Sequence, residues 1–223
     1  MILFGFLVTL FLFIIFQKLN LKFPIILSVG FCIILILKMF NVSYETYNQS
    51  ASYLSYFIAP ATIALAYPMY KNYHILITNK RILYFSLFLA TIVAMLSTYF
   101  CAKFFGADLK VVLSLLPKST TMPIALSISK TIAGYSELTA IIVALTGVFG
   151  GVFGHSILKF LKIKNDIAIG LALGSASHVI GTAACANRKK DKQTAASTIA
   201  LIIVGLLSAI IIPVVVKLIK IYA

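Results

Sequence analysis

Lys118, Ser119, Thr120 and Thr121 stand between Pro117 and Pro123 in an otherwise apolar stretch. A cation followed by three hydroxyls is anion-binding chemistry, because charge-assisted hydrogen bonds from such groups suit a carboxylate. Neither proline carries an N–H, so each interrupts a helix and frees carbonyls about a turn back. The residues after the break open a new half-helix, whose free N–H groups and dipole favour negative charge. Two readings stay open. At membrane depth Lys118 holds an anion, since ionisable residues there generally serve function. At the interface it snorkels among headgroups, and only Val111 to Leu116 precede the break in its segment.

A second constellation is Gly170-Leu-Ala-Leu-Gly-Ser-Ala-Ser-His-Val-Ile-Gly-Thr182. Ser175, Ser177, His178 and Thr182 supply donors and acceptors there. Gly181 is expected to supply an unusual turn. His178 titrates near neutrality, so it either moves a proton or is a structural ring bonded to a carbonyl. With no acid beside it, a Ser-His-Asp arrangement is unsupported and no catalytic residue is assigned. A third motif, Gly147-Val-Phe-Gly-Gly-Val-Phe-Gly154, holds two overlapping small-xxx-small patterns, Gly147/Gly151 and Gly150/Gly154. It reads as a close helix contact, with His155 beyond it as a structural residue.

Absences sharpen this chemistry. Glu45, Asp108, Glu137, Asp166 and Asp191 all fall between apolar segments or at their edges. None is placed to bind a cation in mid-membrane, which disfavours cation transport. Cys32, Cys101 and Cys185 are far apart and give neither a disulfide framework nor metal-ligand spacing. We expect no metal, no cofactor and no enzymatic activity.

The elements that must position these groups are apolar helices. Of 223 residues, 61% are hydrophobic and 11% charged, against roughly 25% charged in soluble domains. Eight apolar segments are expected, at about 2–16, 23–40, 52–70, 82–105, 111–133, 138–161, 166–187 and 194–219. The fold class is therefore all-α, one polytopic membrane domain over 1–223, with two short N-terminal spans (1–50) and a core (51–223). Lys22 and Lys38 would snorkel to lengthen the short spans. Segments four, six and eight cross outright. Segments three, five and seven are interrupted, broken or re-entrant, with Pro60 and Pro68 as further helix breaks. Segments three and four resemble five and six, a hint of an internal repeat. Interrupted segments in related positions point to a transporter's binding region. The net charge of +14 sits mostly between apolar runs, which anionic lipid explains without nucleic acid. Lys and Arg divide almost evenly between the two sides, so orientation is unassigned.

At Leu116 to Ala125 and Ala172 to Ala183, and again at Pro60 to Pro68 and in the glycine-rich sixth segment, the chain resembles the LrgB/CidB family from about residue 50 onward. His155 stands where that pattern would carry proline, and Ala184 where it often carries a basic residue. The resemblance implies one of two functions. One is antiholin- or holin-like regulation of murein hydrolases and autolysis with a small LrgA/CidA-type membrane subunit. The other is carriage of small carboxylates such as pyruvate, glycolate or a related 2-hydroxy acid. It also implies a bacterial cytoplasmic membrane and a homo-oligomer. With the residue chemistry it suggests a carrier in which Lys118, Ser119, Thr120, Thr121, Ser175, Ser177, His178, Gly181 and Thr182 line the substrate site.

Overall fold

A computed structural model describes residues 3–19, 25–57, 60, 63, 66–71, 73–78 and 80–222. Among them all regular structure is helical. The chain forms two compact units, Met1–Tyr67 and Pro68–Ala223.

In the first unit, α1 (Phe4–Leu19) and α2 (Ile25–Met39) are apolar but short, below the roughly 20 residues of a straight crossing. Lys22 lies outside the described residues, whereas Lys38 sits in the last turn of α2. The polar helix α3 (Tyr44–Ala51) is capped by Ser43, whose hydroxyl accepts from the Thr46 N–H at 3.2 Å. It docks on α1 through the Gly5 N–H, which donates to Ser50 Oγ over 2.8 Å, and through Thr9 and Tyr47 hydroxyls 2.8 Å apart. A Cβ at Gly5 would collide with the Tyr47 carbonyl, so the approach requires glycine.

Only part of the expected third segment is described, and it opens as a 3-10 turn rather than an α-helix. A 3-10 turn covers Ser52–Phe57 and short helices α4 (Ala66–Lys71) and α5 (Tyr73–Thr78) follow. The described residues show no break at Pro68, which lies inside the helical run Ala66–Lys71. The neighbours of Pro60 lie outside the described residues, as does part of the stretch on which the expected repeat rested.

The second unit continues with α6 (Lys80–Phe104), α7 (Leu109–Leu115), α8 (Met122–Thr131), α9 (Ser136–Phe160), α10 (Asp166–Asn187) and α11 (Asp191–Tyr222). Four helices are long and apolar enough to cross a membrane: α6, α9, α10 and the Asp191–Leu218 part of α11. Leu83 and Leu87 pack with Ala195, Ile199 and Val204, while Met95 packs with Ile212 and Val216. Thus α6 and α11 run parallel. Outward residues such as Phe85, Phe100, Ile141 and Phe149 are exposed, as a face toward hydrocarbon requires.

Segment five does not cross. The Thr139 hydroxyl lies 2.8 Å from the Ser114 carbonyl and 2.7 Å from Ser129 Oγ. A straight helix would hold those serines about 22 Å apart, so α7 and α8 fold back on one another around residues 116–121. The base closes where Lys110 Nζ lies 4.1 Å above the Tyr135 ring. Thr139→Val keeps the shape but leaves the Ser114 carbonyl and Ser129 hydroxyl without their partner. We expect a loss of about 1–3 kcal/mol in thermal unfolding of the detergent-solubilised protein.

Segment seven, long enough to cross, also folds back. His178 breaks α10 with φ 43° and ψ −130°, a region that non-glycine residues adopt only under strain. Here the sequence expectation is corrected: the turn is at His178, and Gly181 does not take positive φ. Glycine at 181 is needed instead because a Cβ would strike the Leu173 carbonyl eight residues earlier. A straight helix would separate them by about 12 Å. Gly170 and Gly174 lie against the backbone of Gln193 and Ser197, and the Thr182 and Ser197 hydroxyls are 2.7 Å apart. Both halves of α10 therefore flank the start of α11, and each half is only about 13–18 Å long.

Candidate functional site

The two hairpins enter from opposite faces. The α7–α8 hairpin hangs from the end where α6 finishes and α9 begins, and the α10 hairpin from the end where α9 finishes and α11 begins. Their tips arrive at the same turn of α9. His178 Nε2 donates to the Val143 carbonyl (3.1 Å), while Lys118 lines a cavity of about 520 Å³ with Ile142, Ser97, Thr98, Cys101 and Leu115. That turn lies roughly 10 Å in from the start of α9.

Each tip turns into a half-helix whose N-terminus lies inside the fold. At the first, the turn Pro117–Thr121 is held by the Lys118 N–H to the Leu115 carbonyl (3.2 Å) and the Thr120 N–H to the Pro117 carbonyl (3.1 Å). Thr121 is the N-cap of α8, with proline in the first turn, but its hydroxyl caps nothing. Thr121 is 4% exposed, and its Oγ1 has no hydrogen-bond partner among the described residues. A buried hydroxyl of this kind normally finds a partner. Lys118 Nζ lies 3.5 Å from Ser119 Oγ and meets no carboxylate among the described residues. The Thr120 hydroxyl is taken up by the Pro117 carbonyl at 3.0 Å.

At the second tip, the Thr182 hydroxyl donates to the His178 carbonyl (3.0 Å) and meets Ser197, which fastens the strained residue from both sides. Ser177 is buried with its hydroxyl against Gly150. Ser175 is half-buried and donates to its own Ala172 carbonyl at 3.1 Å. Among the described residues no hydrogen bond joins the two tips.

The glycine face of α9 is the bed for this tip. A Cβ at Gly150 or Gly154 would collide with Ser177 or Leu173 on the ingoing half. One at Gly147 or Gly151 would come within 2.8 Å of His178 or Ile180 at the turn. The two small-xxx-small rows thus seat the two arms of one hairpin. Sequence reasoning passed over Thr139, Gln193 and Ser197. The last two lie one helical turn apart in the polar first turns of α11, where residue type alone does not mark them as buried.

This arrangement defines a helical membrane protein in which two re-entrant hairpins from opposite faces bring their tips to the same level of α9. Comparison with known proteins carries this to a family. The chain belongs to the LrgB-like family, which it matches over residues 3–218. It is 36% identical to protein YxaC of Bacillus subtilis over 170 residues, 74% of either chain. It is 30% identical to the holin-like protein CidB of Staphylococcus aureus over 209 residues, 91% of this chain and 90% of that one. A Haemophilus influenzae protein is 34% identical over 186 residues, 82% of this chain and 79% of its own. No solved structure matches. The family match includes α1 and α2, which the motifs alone did not reach.

Proposed function

We propose that the chain is a secondary carrier of small carboxylates such as pyruvate, glycolate or a related 2-hydroxy acid. The observation that carries this reading is the first hairpin tip. The unpartnered buried hydroxyl of Thr121 stands at a half-helix N-terminus, three residues from the Lys118 cation. Two half-helix N-termini entering from opposite faces are a recurrent way to hold an anion between alternately opened sides. In this reading Lys118 and the α8 N–H groups hold the carboxylate, and Thr121 and Ser119 bind its other oxygens. The second tip closes the site from the other face through His178 and Ser177. Thr120, Ser175 and Thr182, whose hydroxyls bond to protein partners, shape the two turns. Gly181 lets the second tip close.

The test is uptake of labelled carboxylates into proteoliposomes. Saturable uptake, inhibited by related acids, is expected, and Thr121→Val should raise the half-saturating concentration about fivefold to tenfold. A second reading follows from the relative named holin-like: a pore-forming or regulatory membrane protein acting with a small LrgA/CidA-type subunit. Release of a trapped dye without substrate preference would favour it and sink the carrier.

A further inference from the structure

His155 lies in the last turns of α9, away from the site above. Its Nε2 is 3.0 Å from Gln193 Oε1, and Gln193 Nε2 donates to Asp166 Oδ1 over 2.7 Å. Three elements meet here: the α9 span, the first turn of the α10 hairpin and the first turn of α11. An ionised carboxylate only accepts, so Asp166 takes the amide N–H of Gln193 and turns its Oε1 toward the ring. That oxygen also only accepts, so His155 Nε2 carries a hydrogen. Nδ1 is left as the free lone pair. It is buried and has no hydrogen-bond partner among the described residues.

We infer that His155 Nδ1 is a proton-binding site and that Asp166, Gln193 and His155 form a proton-operated clasp at the base of the second hairpin. A proton from solvent adds to the Nδ1 lone pair and makes the ring a cation. The Nε2–H bond to Gln193 then becomes charge-assisted, and the Asp166 carboxylate balances the charge through the amide. Both effects tie the hairpin base more firmly to α9 and α11. Loss of the proton returns an ordinary neutral bond. Lys159 lies one turn along the same helix, and the charge that acts on the ring is Arg188 just after the hairpin, a like charge that opposes the added proton. Asp191 and Lys192, beside Gln193, are exposed. Because the clasp holds the hairpin whose tip seats on Gly147–Gly154, the proton acts at a distance on that tip. The effect on transport rests on the carrier reading; the proton site does not.

The proton site is tested by ¹⁵N NMR of ring-labelled histidine in the full-length protein in lipid nanodiscs, assigned with His155→Gln. The expected result is one neutral tautomer with its hydrogen on Nε2, and a second proton arriving on Nδ1 as the pH falls. Asp166→Asn, which can present either end of its amide to Gln193, should give a mixture of tautomers. A wild-type mixture, or a ring that stays neutral to about pH 5, overturns the site. In proteoliposomes, His155→Gln should flatten the pH profile of uptake while leaving saturable uptake in place. An unchanged profile overturns the clasp's control of transport. No uptake by the wild type would instead remove the carrier reading and leave the NMR result standing.

Discussion

Replacing Lys118 with glutamine is expected to leave a folded protein whose carboxylate uptake falls at least about tenfold. A hydrogen bond to a charged group contributes about 1.5–3 kcal/mol, and tenfold corresponds to about 1.4 kcal/mol. Glutamine keeps the length and a donor but loses the charge. Folding should survive, because among the described residues the Lys118 ammonium meets only the Ser119 hydroxyl, at 3.5 Å, and borders a cavity. Lys118→Arg separates charge from shape: it restores the cation but brings a planar fork to a narrow turn, so partial recovery is expected. Unchanged uptake by a folded Lys118→Gln protein would remove Lys118 from the mechanism and leave it a cation among headgroups.

Gly174→Val should have the largest effect on stability. A Cβ at Gly174 would overlap the Ser197 carbonyl and stand 2.8 Å from Ser197 C and Cα. These are backbone atoms of a span, so no side-chain rotation relieves the clash. The ingoing arm of the second hairpin must lift away, straining the Thr182–Ser197 bond as well. Overpacking of well-packed contacts costs about 1–3 kcal/mol, and valine here belongs at the upper end. The measurement is thermal unfolding in detergent beside Gly30→Ala. Gly30 has nothing within 4 Å of where its Cβ would stand, so alanine there should be neutral or add up to about 1 kcal/mol of helix stability. If the two variants melt together, α10 and α11 do not pack in this register.

What the sequence disclosed and what it withheld have the same physical root. Pro117, Pro123 and the glycines of α9 act through their own covalent geometry, so a break and a close-packed face could be read from residue type alone. Fold-back is a tertiary property. Nothing local to Ser114 or Ser129 announces that both will bond to Thr139. The turn at His178 was misplaced at Gly181 because glycine is the usual residue at positive φ. Here a histidine is forced there by the Val143 carbonyl and by Thr182, and the nearby glycine serves the close crossing of the two arms. Segment seven was legible as interrupted from its glycines and polar residues, and only its packing on Gln193 and Ser197 shows that it returns.

The opposed hairpins also have an electrical consequence. Each carries polar backbone and side chains inward from its own face, so the layer of low dielectric between their tips is thinner than the membrane. A voltage across such a layer falls more steeply there than through unbroken lipid. Moving one elementary charge through the full potential is worth about 2.3 kcal/mol per 100 mV. Any charge moved between the tips would cross part of that potential over a shortened path.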